Sequence, residues 1–389
     1  MIDWLNTIDW CLVGTLVVLT VYQLYFYSRI LAAPLRNSRP ATNEKDAAET
    51  TERPGVSVIV SARNEATRLK PFLQALLEQD YPLFEVIVVN DASEDETALV
   101  LQEYSLLYPR LQTTFVPLEA RVRSSKKLAL TLAVKHAKYE YLLLTDADCR
   151  PESKSWISEM MQGYFHSGQQ EDTSIEVVLG YSPYFPEDKG INRLLRYDTL
   201  FNGLHYMGRA LTGHPYMGVG RNLMYRKSLF ERNHGFAGLI NFRAGDDDLF
   251  INKVATGKNT TVVCTPGSVV WSLPKTSFRD WWLQKRRHLS VSPHYRFTSK
   301  MLIGLEPMAR GLWYAILIAA FVIGSAPVAL LAWSLLIIRL LTQLIVVNLS
   351  ARRFGEPGFG LEIVWYDICL PILTAMLMFT QRKKNYSRW

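Results

Sequence analysis

Tyr141-Leu-Leu-Leu-Thr-Asp-Ala-Asp-Cys149 is an apolar run that ends abruptly in two carboxylates one residue apart. A short continuous apolar stretch closed by polar residues reads as a strand buried on both faces, as in a parallel sheet. Asp146 and Asp148 then fall at the carboxyl end of a central strand, where open α/β sheets place their ligands. Residues i and i+2 of a strand point the same way, so both carboxylates are expected to face one site. Two like charges that close are costly unless a proton or cation neutralises them, and hard divalent cations take oxygen ligands. The pattern predicts a metal-bound diphosphate at this strand end. A pair of solvated aspartates is the plainer alternative, and the rest of the chain decides between the two.

Upstream, strand and helix patterns alternate. Val56 to Ser61 is a β-branched run, Glu65 to Leu77 has helical apolar spacing, and Phe84 to Val89 is a second strand that runs into Asn90 and Asp91. A further helix, a strand near Thr113 to Pro117 and a helix from Lys126 to Ala137 lead to the central strand. Such alternation predicts an α/β fold: a mostly parallel sheet with right-handed crossovers and helices on both faces. It lines up Ser61 to Glu65, Asp91 and Asp146 to Asp148 along one sheet edge, as a nucleotide-sized cleft requires. The first strand is followed by no Gly-x-Gly-x-x-Gly, and the chain has no Walker-type Gly-Lys-Thr, so neither a dinucleotide fold nor a P-loop is supported. A diphosphate would have to be neutralised by metal and by isolated cations, with Lys126 and Arg287 as candidates.

The chain has 389 residues and a formal net charge of +7. Arg29, Arg36 and Arg39, then Arg352 and Arg353, then Arg382, Lys383, Lys384 and Arg388 cluster beside apolar segments, as expected near anionic headgroups. No basic stripe suits nucleic acid. Cys11, Cys149, Cys264 and Cys369 share no metal-ligand spacing and suggest no disulfide framework. Trp10 to Ser28 carries no charge and is long enough to span a bilayer; with Asp3 and Asp9 before it and Arg29 after it, it reads as an anchor with its start outside. The expected organisation is an anchor over 1–33, a linker over 34–54, a catalytic domain with a C-terminal interfacial helix over 55–300, and a membrane region over 301–389. That last region holds Gly311 to Ile323, Val328 to Asn348, and Ile363 to Thr380, from which two or three spans are expected. Arg339 within the second is expensive unless it meets protein, water or phosphate. An integral protein of a bacterial plasma membrane, its soluble part cytosolic, is expected.

Asp246, Asp247 and Asp248 precede Leu249, Phe250 and Ile251 in helical spacing. Helix capping accounts for one or two of these carboxylates, and three in a row exceed it. Thr276 to His288 mixes Phe278, Trp281, Trp282 and Leu283 with Arg279, Lys285, Arg286 and Arg287, a pattern suited to a membrane interface.

Taken together, Val56-Ser-Val-Ile-Val-Ser-Ala-Arg-Asn-Glu65, Val88-Val-Asn-Asp-Ala-Ser-Glu-Asp95, Lys126 before Ala129-Leu130, Thr145-Asp-Ala-Asp148, Gly245-Asp-Asp-Asp-Leu249 and Gln284-Lys-Arg-Arg-His288 resemble a family 2 glycosyltransferase of the GT-A fold. Each motif is weak alone; in this order, over Val56 to His288, they are specific. The resemblance implies an inverting transfer from a nucleoside diphosphate sugar, assisted by Mg²⁺ or Mn²⁺. It puts Ser61, Arg63 and Glu65 near the base and ribose, Asp91 on the nucleobase, Asp146 on the ribose and metal side, and Asp148 on the metal. Asp247 is implied as the base that takes the acceptor's proton, with Asp246 orienting it or the acceptor; the exchanged roles are the alternative. Gln284 and Arg287 match Gln-x-x-Arg-Trp, whose arginine meets the diphosphate, and His288 replaces the tryptophan that stacks the acceptor sugar in processive synthases. Asn90 stands where many members have aspartate; a UDP-sugar is the favoured donor, although no feature separates UDP from GDP. The expected activity is one-step glycosylation of a lipid or lipid-linked acceptor, in cell-envelope glycan biosynthesis. A small polysaccharide synthase and a catalytically silent nucleotide-binding membrane protein are the alternatives.

Overall fold

The computed structural model describes residues 7–37, 53–117, 125–166, 170–171, 174–188, 190–242 and 244–382. Most of the expected linker, and the basic residues beyond 382, lie outside the described residues. Helix α1 (Thr7–Tyr25) continues through a π-helical turn, Phe26–Leu31, to α2 (Ala33–Arg36). The expected alternation follows as β1 (Val56–Ala62), α3 (Ala66–Leu77), β2 (Phe84–Asp91), α4 (Thr97–Leu107), β3 (Leu111–Val116), α5 (Ser125–His136) and β4 (Tyr141–Asp146). The second half holds β5 (Cys149–Pro151), α6 (Trp156–Met161), the short strands β6 (Phe165–His166) and β7 (Gln170–Glu171), β8 (Val177–Leu179), α7 (Gly190–Leu211), β9 (Leu223–Arg226) and α8 (Lys227–Arg232). It ends with α9 (Asp248–Val254), β10 (Thr260–Val262), β11 (Val270–Ser272) and α10 (Phe278–Leu289), before α11 (Phe297–Val322), α12 (Ala326–Arg353) and α13 (Glu362–Arg382).

Seven strands form one sheet in the order β10-β8-β9-β4-β1-β2-β3. It is mostly parallel, with β9 antiparallel to both β4 and β8. Alternate residues of the central strands feed two cores, which is why the middles of these strands are apolar on both faces. Val58, Val60, Val86, Val88 and Leu143 pack on one face with Leu69, Leu73 and Trp156; Ile59, Ile87, Leu142 and Leu144 pack on the other with Ala133, Leu200 and Leu204. Ser61 pairs with Asp146 and Ala62 with Asn90, so the strand ends are level and present their polar residues on one edge. One expectation is corrected here. The strand stops at Asp146, and Ala147 and Asp148 form a turn into β5. That turn, and not strand alternation, sets Asp148 beside Asp146.

Four helices, Thr7–Leu31, Phe297–Val322, Ala326–Arg353 and Glu362–Thr380, are long and apolar enough to cross a membrane. The first C-terminal apolar stretch is longer than its uncharged part suggested, because α11 begins at Phe297 and carries Glu306 and Arg310 inside the bundle. Arg339 is fully buried and meets Asp367 at 2.8 Å, and Asp367 also accepts from Arg310 at 2.8 Å, Tyr314 at 2.6 Å and Gln343 at 3.0 Å. Arg310 pairs with Glu306 at 2.9 Å, so two cations and two anions balance in a low-dielectric core. Gln343 also donates to Tyr197 of α7, and after α12 Glu356 pairs with Arg196 of α7 at 3.2 Å, which fastens the helices to the sheet domain. Removing one partner of a buried pair costs roughly 3–5 kcal/mol, whereas apolar replacement of both is far milder. Asp367→Leu is therefore expected to lower the unfolding temperature of the full chain in detergent much more than Arg339→Met with Asp367→Leu, which leaves Arg310 with Glu306. Equal losses in the two proteins would refute the pairing.

Candidate active site

The edge of the sheet is built by two interlocked loops. After β1, Asn64 takes the left-handed conformation (φ 54°), which asparagine tolerates better than most residues. Its backbone N–H donates to Ser93 Oγ at 3.0 Å, and its Oδ1 accepts from Glu94 N–H at 2.8 Å. The N–H groups of Glu65 and Ala66 donate to Thr97 Oγ1 and Asp95 Oδ2, so the loop after β2 holds the start of α3. Asp91 closes β2; it is buried, and among the described residues its Oδ1 accepts no hydrogen bond, leaving an acceptor that calls for a donor. Arg63 is exposed and reaches Ser125 Oγ at 3.4 Å. Glu65 pairs with Arg68 at 3.2 Å and feels the charge of Asp148; burial raises its pKa.

Lys126, at the start of α5, joins the two carboxylate clusters. Its ammonium lies 2.9 Å from Asp146 Oδ1 and 3.3 Å from Asp246 Oδ2. The neighbouring Lys127 is fully buried and donates to the carbonyls of Phe242 and Ala244 at 2.6 and 2.7 Å, clamping the loop that delivers Asp246. Asp247 caps α9: Oδ1 accepts from Asp248 N–H and Oδ2 from Gly220 N–H, each at 2.8 Å. These bonds fix the carboxylate and still leave lone pairs free. Burial, and then the charge of Asp246, pushes the Asp247 carboxyl up, against Lys126 and the two N–H groups. For Asp246 burial acts upward too, but Lys126, a backbone hydrogen bond and Lys127 together outweigh it and the net direction is down. Asp248 is pushed up to about 8 by burial and by Asp247, and it accepts from the Tyr295 hydroxyl at 2.8 Å. It is a buried structural carboxyl, so the three aspartates divide into a cation-paired, a capping and a buried member.

Helix α10 forms the far wall. Ser277 caps it, accepting from Asp280 N–H at 3.1 Å, and Trp281 is buried while Phe278 and Leu283 remain exposed. Gln284 hydrogen-bonds the Tyr184 hydroxyl at 3.1 Å, and the Arg221 guanidinium stacks on the Tyr184 ring at 4.7 Å. His288 opens to solvent yet feels Asp246, Lys126 and Arg221; desolvation in the cleft, and then the Arg287 and Arg221 cations, depress its pKa. Arg287 is exposed beside it. The fold thus brings Gln284 and His288 toward the carboxylates and leaves Arg287 at the open rim. Lys127, Tyr184 and Arg221 escaped the sequence reading. The doublet Lys126-Lys127 signals helix charge only, and nothing near Gly220 marks a buried cation.

A metal ion is held only where oxygen ligands converge. Burial, and then Asp146, raises the Asp148 carboxyl, with Arg221 acting against them, so the pair is short of positive charge. Among the described residues no three carboxylate, histidine or cysteine side chains form a cage. Mg²⁺ and Mn²⁺ commonly bind through one or two carboxylates together with substrate phosphates, which two aspartates at a cleft edge fit.

The Lys127 clamp carries a test. Lys127→Met would leave two buried carbonyls without a donor and loosen the loop under Asp246. Displacement of a catalytic group by about 1 Å can cost roughly 100-fold. The expected result is a 10- to 100-fold loss of kcat with nucleotide affinity little changed, and partial recovery in Lys127→Arg. Parallel loss of both constants would assign Lys127 to general stability.

Two family models match overlapping parts of the chain: "Glycosyl transferase family 2" over residues 57–233 and "Glycosyl transferase family group 2" over residues 183–379. The chain is 26% identical over 242 residues to the probable glycosyltransferase YdaM of Bacillus subtilis, covering 61% of this chain and 54% of that one. It is 35% identical over 94 residues to a poly-beta-1,6-N-acetyl-D-glucosamine synthase of Staphylococcus epidermidis, covering 24% of this chain and 22% of the synthase. The match thus spans about half and about a fifth of these relatives' lengths. The mannosyltransferase PcManGT from Pyrobaculum calidifontis, solved with GDP-Man and Mn²⁺, superimposes with a TM-score of 0.61 over 96% of this chain and 100% of that one, at 22% identity. That likeness shows the GT-A fold. The two matched segments run from the first strand through the last helix and take in the carboxylate clusters, the aromatic wall and the bundle. The chain is therefore a glycosyltransferase, and it belongs to glycosyl transferase family 2.

Proposed function

We propose that this chain is a metal-dependent inverting glycosyltransferase that moves one sugar from a nucleoside diphosphate sugar to a lipid or lipid-linked acceptor at the cytosolic face of the membrane. The observation that carries this reading is Lys126, which bridges Asp146 and Asp246 and so sets the donor edge and the acceptor loop within one ion-paired span. Ser61, Arg63, Glu65 and Asp91 take the nucleoside. Asp146 and Asp148 hold Mg²⁺ or Mn²⁺, which neutralises the diphosphate when bound. Asp247 accepts the proton of the acceptor hydroxyl as its oxygen bonds to the anomeric carbon, the bond from that carbon to the diphosphate breaks, and the nucleoside diphosphate departs. Asp246, held ionised by Lys126, orients this carboxylate. Helix α10, with Phe278 and Leu283 exposed, lies at the membrane interface, and an acceptor anchored in lipid reaches the site beside it.

A second reading has a specific support: several relatives are named as poly-beta-1,6-N-acetyl-D-glucosamine synthases, which favours a small polysaccharide synthase. His288, in place of the stacking tryptophan, weighs for a single transfer. Native membranes given labelled sugar nucleotides separate the two readings. Label in a lipid extract, one sugar per acceptor even with excess donor, is the expected outcome, and polymers of many residues made by the purified protein would replace it with the synthase reading.

A further inference from the structure

We infer that Arg221 is a second cation for the donor, binding the β-phosphate of the nucleoside diphosphate beside the metal carboxylates; the inference rests on the donor class proposed above. Three observations place it. Arg221 follows Gly220, whose N–H holds Asp247, in a turn closed by the Asn222 N–H to Val219 carbonyl bond at 2.9 Å. The Asn222 side chain fixes that turn by donating to the Tyr181 and Ser268 carbonyls at 2.8 and 2.7 Å and accepting from Trp156 Nε1 at 3.1 Å. The guanidinium is thus carried on rigid backbone, stacked on Tyr184, with Nη2 donating to the Ser182 carbonyl at 3.0 Å.

Its remaining donor edge is the telling feature. Among the described residues Nη1 is buried and donates to nothing, and after Tyr184 and Cys149 it feels the carboxylates Asp148 and Asp146. A buried guanidinium with an unpartnered edge is organised for an anion that offers two oxygens, and phosphate fits it. The β-phosphate carries the anomeric oxygen, so of the two phosphates it lies nearer the group on which Asp247 acts. Negative charge gathers there as the glycosidic bond to phosphate breaks, and a fixed cation stabilises it. Tyr184 couples this cation to Gln284 of α10, so the far wall of the cleft also helps to aim it.

The test compares UDP with UMP, and GDP with GMP, each with Mn²⁺, by calorimetry on the full chain in nanodiscs. The wild type is expected to prefer the diphosphate of one base. Arg221→Gln should shrink that preference at least about tenfold while monophosphate binding stays near wild type, the loss expected for one charge-assisted contact. Arg221→Lys, which keeps the charge without the fork, should shrink it less, and it serves as the test if the glutamine variant does not fold. An unchanged preference in both variants overturns the inference, as does equal loss of mono- and diphosphate. Unchanged nucleotide binding with a raised acceptor KM would move the contact to an acceptor phosphate and also overturn it. Binding of none of the four nucleotides by the wild type would sink the nucleotide-donor reading itself, and this inference with it.

Discussion

Asp247→Asn is expected to lose about 10²- to 10⁴-fold in kcat, the range typical of a general base, with nucleotide affinity almost unchanged. In the proposed role the side chain touches the acceptor proton in the transition state and the donor very little, so its removal should fall on the rate. The substitution preserves shape, and an amide oxygen can still accept from Gly220 or Asp248, which keeps the α9 cap in place. A lost cap alone would cost only about 1 kcal/mol of stability and would not select kcat. The base works when deprotonated, so the rate should fall as pH drops through the raised pKa of Asp247. Lys126 holds that pKa down, and Lys126→Met should shift the acid limb of the pH–rate profile to higher pH. Transfer rates and calorimetry on the same preparations decide the matter. Near wild-type turnover in Asp247→Asn together with a dead Asp246→Asn would exchange the two roles. Activity in both would reduce the cluster to a helix cap.

Chelation should abolish transfer altogether, and Mg²⁺ or Mn²⁺ should restore it. The reason is electrostatic: burial and then the charge of Asp146 make Asp148 costly to ionise, and a donor diphosphate would add further negative charge to the same edge. Arg221 and Lys275 oppose the charge on Asp148, and Lys126, which faces Asp146, is already shared with Asp246. Asp148→Asn should leave the fold intact and remove the rescue, since a neutral amide of the same shape is a poor metal ligand. The readouts are activity against metal concentration and Mn²⁺-dependent nucleotide binding. Full activity of Asp148→Asn in EDTA would end the metal assignment.

The sequence by itself determined the sheet and its polar edge. Val58 to Val60, Val86 to Val89 and Tyr141 to Leu144 are continuous apolar runs, and strands covered on both faces account for that. The helical spacings between them then leave a parallel sheet as the economical arrangement. The order of these strands was enough to bring Asp91 and Asp146 to one edge, because the parallel strands of such a sheet end level. The charges flanking apolar segments likewise foretold the membrane helices, though Glu306 and Arg310 hid the true length of α11.

What only the tertiary structure decided are contacts between residues far apart in sequence, which no local period encodes. Lys126 meets Asp246 across 120 positions, Arg339 finds its partner in Asp367 of another helix, and Arg221 stacks on Tyr184 from a separate loop. The division among Asp246, Asp247 and Asp248 was also unreadable, since three identical side chains in a row differ only in what faces them: a lysine, two backbone N–H groups, or a tyrosine hydroxyl. Periodicity reports which side of an element is buried; the pairing of buried charges is set by how the elements pack, because a desolvated charge is stable only where another part of the chain brings its counterpart.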